Sequence, residues 1–430
     1  MVKENFKSVI NPISVAALFV CVAVYTGFVP VKKQKPLLTL CPREKITFVE
    51  GTIHSNPVKN SARGTYSFLL ETTKVGEESR SCSCSYSASG FCSVVVSEAM
   101  AEALLPGKLY TLSFSSQSAL SESSAIVMEK GSRVLFYGKM KNDIFIASGA
   151  TPLPWEDGFS SRVAHLRALS RLAFRRMMYY WKDAGGLFLA LISGICEYTD
   201  ETLKDSFRKA GLSHILALSG MHLSLFSGIS KNIFSGRRPQ KLSLVFQFLF
   251  ISIFVWFAGL SPSLLRAFIQ SSIVIFLSFF NIKNPGLLNV LSGSFLIHSV
   301  IHPEDLFSLA FMLSYGALLG IILFGDLCTV FSSKAFPFFI AEGLGGSMGA
   351  QSVTLPVTLK AMGTFSPGGI ISTLVVSPLI TFFIYSGLLL FILSLIFPFA
   401  CVPGAFFMNI LYNLIEKSVT LFSKLPQISI

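Results

Sequence analysis

Charge is what this sequence has least of. Only 13% of its 430 residues are Asp, Glu, Lys or Arg, against roughly a quarter in soluble globular domains. A water-soluble module is therefore excluded as a description of the whole chain. Acids are scarcer than bases, 23 against 35, and the long apolar runs hold almost none. That argues against a cation pump built on membrane carboxylates. No G-x-x-x-x-G-K-[ST] stretch occurs, so no phosphate-cradling ATP loop is expected. The first apolar run, 11–31, lacks an A-x-A-like cleavage site and is read as an uncleaved anchor.

What fills the chain is apolar: 52% hydrophobic residues and a mean hydropathy of +0.63. The pattern predicts a polytopic α-helical membrane protein. After the anchor, spans are expected near 213–230, 242–259, 262–280, 286–302, 306–325, 336–360, 366–398 (long enough for two) and 402–423. The densest basic loop of this half, 230–241, belongs in the cytoplasm by the positive-inside rule. Residues 32 to about 210 are then expected outside, with the N-terminus inside.

Residues 40–150 read differently. Short alternating runs at 45–53, 66–73, 92–99, 108–116 and 132–140 predict strands of a small barrel or sandwich. Cys82, Cys84 and Cys92, with Cys41 upstream, fit disulfides in an extracytoplasmic domain better than a zinc site, since no His lies close to complete one. The expected organisation is an anchor over 1–31, a β-rich extracytoplasmic domain over 40–150, a basic amphipathic helix over 160–185 and a membrane domain over 186–425. On that helix Arg167, Arg171 and Arg175 recur every four residues and, with Arg176, form a basic stripe. It suits a lipid surface or the rim of a path for a polyanion.

The stretch "AGLSHILALSGMHLSLFSGI" (210–229) has the apolar content of a span and yet carries His214, Ser219, Gly220 and His222. As one helix, it would put the two histidines on a shared face, eight residues apart. Ser219 with His222 fits a serine nucleophile and base; both histidines together fit metal ligands; Gly and Ser also fit close helix packing. Arg266 and Gln270, one turn apart, and Gln351, in a Gly/Ser-rich segment interrupted by proline, add polar points inside spans. A path lined with such groups suits an anion better than a cation.

These residues carry a resemblance. "ALISGICEYTDETLKDSFRKAGLSHILALSGMHLSL" (190–225) resembles the opening of the competence domain of the ComEC family, the DNA-uptake channels of transformable bacteria. Gly211, His214, Leu216, Ala217, Ser219, Gly220 and His222 stand at its pattern positions. "GLSPSLLRA" (259–267) is similar to a further family block through Ser261, Pro262 and Arg266. "HPEDLFSLAFMLSYGALLGI" (302–321) matches through Pro303, Phe311, Leu313 and Ser314. "GAQSVTLPVTLKAMGTFSPGGIISTLVVSPL" (349–379) matches through Ala350, Gln351, Pro356, Phe365 and Pro378, with Thr373 where that block commonly has Asn.

The resemblance implies an OB-like fold for the β-rich domain and a bacterial inner-membrane channel for single-stranded DNA. His214, Ser219, Gly220, His222, Arg266, Gln270 and Gln351 become candidates for its lining, and the arginine stripe for a DNA or lipid contact. It also implies a periplasmic DNA-delivery protein and a cytoplasmic ATP-driven motor as partners, and leaves a homo-oligomer open. The sequence has no His-x-His-x-Asp-His motif of the nuclease domain that many members carry, so a separate nuclease is expected, and no cofactor, metal or catalytic residue in this chain. An intramembrane serine hydrolase and a lipid or small-anion transporter are the alternatives.

Overall fold

The computed structural model describes residues 11–27, 36–55, 57–60, 64–79, 82–97, 100, 129–141, 143–234, 240–282, 285–397, 399 and 401–429. The chain divides into two compact units, Lys33–Gly185 on one side, and Met1–Lys32 with Gly186–Ile430 on the other. Helix α1 (Pro12–Tyr25), apolar throughout, belongs to the second.

The first unit is built on strands β1 (Leu38–Thr39), β2 (Phe48–Ile53), β3 (Val58–Asn60), β4 (Thr65–Ser79), β5 (Cys82–Ser89), β6 (Phe91–Ser97), β7 (Arg133–Lys141) and β8 (Ile144–Pro152). Period-two alternation buries Cys92, Val94 and Val96 from β6 and Val134 and Phe136 from β7 in one core, as a pleated strand requires. The fifteen-residue β4 is long enough to pair with both β2 and β6. Antiparallel β2–β7 and β7–β8 pairs and a parallel β6–β8 pair close the ring. The result is a five-stranded OB-like barrel.

Four of the expected strands are present, and the one over 108–116 lies outside the described residues. The sequence reading missed β5, a Ser- and Cys-rich strand lying mostly outside the barrel, and β8, whose Ala and Gly positions weaken its alternation. Helix α2 (Phe159–Met178) completes this unit and packs Ala168 and Leu172 against Trp155.

The rest is helical: α3 (Lys182–Ser193), α4 (Glu201–Lys209), α5 (Ser213–Leu216), α6 (Gly220–Phe234), α7 (Gln240–Ala258), α8 (Pro262–Phe279), α9 (Leu287–Ile301), α10 (Leu309–Ser332), α11 (Phe338–Met362), α12 (Gly369–Ile396) and α13 (Cys401–Phe422). Among the described residues α7, α8, α10 and α12 are long and apolar enough to cross a membrane; α1 and α9 are apolar but shorter. With the barrel, this makes the chain a polytopic helical membrane protein carrying a β-rich domain. Helix α1 lays Ala17 and Val24 against Leu291, Phe295 and Phe311, and the Tyr25 hydroxyl donates to the Leu306 carbonyl at 2.7 Å. Near the chain end a two-residue strand β10 (Ile428–Ser429) pairs with β9 (Thr364–Phe365).

Three expectations about the helices are corrected. The stretch expected to hold two spans over 366–398 carries one helix, α12 (Gly369–Ile396), which continues through Pro378. Helix α11 likewise runs unbroken through Pro356. Around that proline the hydroxyls of Thr354 and Thr358 donate back to the carbonyls of Ala350, Thr354 and Leu355, so these polar side chains are satisfied within their own helix. The break falls instead in 210–229, where α5 stops after one turn and α6 starts afresh at Gly220.

Candidate functional site

The break in 210–229 is built residue by residue. Helix α4 ends in Gly211, at φ +74°, a left-handed conformation that costs other residues energy. A Cβ there would also stand 3.0 Å from the Gly369 Cα and 3.3 Å from the Ser366 Cβ. Glycine thus lets this turn abut the start of α12, where the Ser372 hydroxyl donates to the Ala210 carbonyl at 2.8 Å. Ala217 then takes an extended conformation and the chain restarts as α6.

Ser219 occupies the N-cap of α6 and His222 the third helical position. The Ser219 backbone N–H donates to His222 Nδ1 at 3.1 Å, and Ser219 Oγ lies 3.3 Å from the same nitrogen. This is the reciprocal half of a capping box, with an imidazole in place of the usual Glu. The single Nδ1 lone pair accepts the backbone proton, so the ring's own proton belongs on Nε2. Nε2 is buried and makes no hydrogen bond among the described residues. A base for Ser219 needs that lone pair, so the cap argues against the hydrolase arrangement.

His214, on α5, is exposed while His222 is fully buried, and they sit on different helices. The shared face expected from one continuous helix does not exist, because the chain breaks between them.

The N-terminus of α6 faces α8. A Cβ on Gly220 would stand 2.9 Å from Arg266 Nη2 and 3.4 Å from the Ala267 Cβ, so glycine makes room for the guanidinium. Ser263, Arg266 and Gln270 follow one another at spacings of three and four, one helical face. Arg266 is 6% exposed. Its Nε donates to Ser314 Oγ at 2.8 Å and its Nη1 to Gln270 Oε1 at 3.2 Å. Ser314 also bonds Ser263 at 2.9 Å, and the guanidinium carbon lies 5.9 Å from the centre of the Tyr315 ring. Every one of these partners is neutral, and among the described residues no carboxylate pairs with Arg266.

The polar seam continues through α9. Gln270 Nε2 donates to Ser294 Oγ at 3.3 Å. One turn on, the fully buried His298 lies 3.3 Å from the Tyr315 hydroxyl through Nδ1 and 3.2 Å from Asp305 Oδ2 through Nε2. The carboxylate fixes the proton on Nε2, leaving Nδ1 to accept from Tyr315. Serine, glutamine, histidine and tyrosine from three helices thus converge around one buried cation. The seam brings together Gly220, Arg266 and Gln270 of the expected lining residues. Gln351 is half-buried on α11 and makes no hydrogen bond among the described residues. The sequence reading missed Ser263, Ser294, His298, Asp305 and Tyr315; a histidine four residues after a serine inside an apolar run was the available signal.

The arginine stripe is also corrected. Arg171 and Arg175 are buried, at 2% and 3% exposure, and both pair with Glu129, Arg171 Nε at 3.1 Å and Arg175 Nη2 at 3.4 Å. They are not presented to lipid or DNA, because a buried carboxylate outside the helix draws them inward. Burial alone would raise the Glu129 pKa, but Arg171, Arg175 and Arg167 outweigh it and hold the group below the usual glutamate value. Burial, and then the charge of Arg171, push Arg167 down to about 10. Arg167 and Arg176 are half-buried.

Of the cysteines, Cys41, Cys84 and Cys92 carry free thiols, the first and last buried in the barrel core. There they pack as small apolar groups, and burial pushes the Cys92 thiol up to about 11. The Cys82 side chain lies outside the described residues.

Barrel, bundle and seam together define a helical membrane protein with one buried arginine in a polar seam and an OB-like domain. The sequence matches the family described as Competence protein over residues 191–430. That is more than half of the chain, and the chain belongs to this family, as the blocks quoted above led one to expect. It is also 25% identical over 207 residues to ComE operon protein 3 of Bacillus subtilis (strain 168). That match takes in 48% of this chain and 26% of the relative, so the chain spans about a quarter of that protein. No solved structure matches.

Proposed function

We propose that this protein passes single-stranded DNA across the bacterial inner membrane, from periplasm to cytoplasm, during competence. The observation that carries the reading is Arg266, a buried guanidinium held by Ser314, Gln270 and the Tyr315 ring with no carboxylate paired to it among the described residues. A charge inside a membrane bundle costs several kcal/mol, about 3 on insertion scales, and is retained where it serves a pathway. A positive interior attracts a polyanion and repels cations. Membership of the Competence protein family supports the same cargo, as does an OB-like barrel, a fold suited to single strands. On this reading a periplasmic protein delivers the DNA, a cytoplasmic ATP-driven motor pulls it, and a separate nuclease removes the other strand.

The test follows fluorescent double-stranded DNA in cells lacking the protein and in cells carrying Arg266→Ala or His222→Ala. The expected result is label that enters the periplasm and stays there, with the variant proteins still made. Label reaching the cytoplasm in all these cells rejects the channel.

A further inference from the structure

We propose that Arg266 and the first turn of α6 form a phosphate-binding site, which holds one phosphodiester of the passing strand at a time. The inference rests on the DNA-path reading and adds the group that is recognised and the residues that recognise it. Three observations carry it. First, Arg266 is nine-tenths buried and paired with neutral acceptors alone, so its charge lacks the counter-ion that buried guanidinium groups ordinarily keep. Second, Nε and Nη1 are committed to Ser314 and Gln270, while Nη2 makes no hydrogen bond among the described residues and lies against Gly220, the first residue of a fifteen-residue helix. The first N–H groups of a helix have no partner within it and carry a partial positive charge, so the free guanidinium edge and the helix end present donors to the same region. Third, the turn holds another buried donor without an acceptor among the described residues, the Nε2–H of His222.

A buried cation without a counter-ion, its free edge lying against a helix N-terminus, calls for an oxyanion. Phosphate meets that need best, because guanidinium and helix N-termini both bind it through charge-assisted hydrogen bonds. Ser314 and Gln270 fix the fork, so the site is ordered before the ligand arrives. Gly220 is its steric condition: a methyl group there would stand 2.9 Å from Nη2 and displace the guanidinium.

Phosphate of this kind reaches a membrane protein from nucleic acid or from a lipid headgroup, and the experiment separates the two. The full chain is reconstituted in phosphatidylcholine nanodiscs. Binding of fluorescent oligo-dT is then measured across a salt series for wild type, Arg266→Gln, Arg266→Lys and Gly220→Ala. A neutral-backbone peptide nucleic acid of the same length serves as competitor. The expected result is that Arg266→Gln and Gly220→Ala each flatten the slope of log K on log salt by about 0.7, the share of one phosphate contact on a single strand. Arg266→Lys keeps the slope, which separates charge from folding, and the peptide nucleic acid fails to compete.

Suppose instead that oligo-dT gives one slope for wild type and Arg266→Gln, while wild type alone retains phosphatidylglycerol through delipidation. The phosphate is then a lipid's, and the strand assignment is overturned. Equal slopes with equal lipid retention overturn the site and leave the DNA path standing. A wild-type protein that binds no oligo-dT, in cells whose DNA import survives its deletion, removes the path itself.

Discussion

At the scale of single residues, Ser219 and His222 hold the beginning of a helix. Their contact runs chiefly from a backbone N–H to an imidazole nitrogen, so the serine hydroxyl is the dispensable member. Ser219→Ala should cost less than the roughly 1 kcal/mol of an N-cap whose side chain accepts a backbone N–H, and leave DNA import within a few-fold of wild type. His222→Ala removes the acceptor of the Ser219 N–H and empties a fully buried position. It should lower the melting temperature more than Ser219→Ala does and block import. Melting in detergent and uptake counts check both. A covalent serine probe that labels wild type and spares Ser219→Ala would reverse the assignment and restore a nucleophile. Arg266 and Gln270 were legible as polar points in an apolar run. Their partners on α9 and α10 were not, because a serine or tyrosine within a span looks the same in sequence whether it faces lipid or a guanidinium.

At the scale of elements, hydropathy found the long helices because apolar length is itself what the bilayer demands. It misjudged where they break. Proline suggested interruptions in α11 and α12, yet both helices run through it. The real break, between α5 and α6, carries no proline. It depends on Gly211 against Gly369 and on Gly220 beneath Arg266, both non-local requirements, and on the local Ser219–His222 cap, where an imidazole stands in place of the usual Glu. The barrel strands were legible where apolar residues alternate and lost where serine fills both faces, as in β5. Gly211→Ala tests the break directly. It forces a side chain into a left-handed turn and within 3.0 Å of the Gly369 Cα. Left-handed conformation alone costs roughly 1–2 kcal/mol, and the close approach adds to it. The variant should melt earlier and exchange amide protons faster at the start of α12. Unchanged protection there would mean that α4 and α12 are held together by other contacts.

At the scale of the whole molecule, the two compact units rest on different electrostatic solutions, and this makes them separable by experiment. In the barrel unit a buried carboxylate, Glu129, is surrounded by arginines that hold its pKa below the ordinary 4.5. The unfolded chain therefore takes up a proton at higher pH than the folded one. The stability this pairing supplies is complete above the ordinary glutamate value and is lost as pH falls through the lower folded value. Glu129→Gln removes the charge at every pH and leaves Arg171 and Arg175 buried without it. That should cost about 3–5 kcal/mol, the usual penalty for stranding a buried charge. The bundle unit keeps its buried cation among neutral groups, with His298, Asp305 and Tyr315 as support. Hydrogen exchange on the full chain should accordingly show two responses. Glu129→Gln accelerates exchange in β7 and α2, abolishes their acid-dependent loss of protection and leaves α8 to α10 unchanged. Asp305→Asn weakens the hold on His298, accelerates exchange in α9 and α10 and leaves the barrel unchanged. If either substitution loosens both units together, the chain unfolds as one cooperative body, and the barrel cannot be treated as an appendage with its own stability.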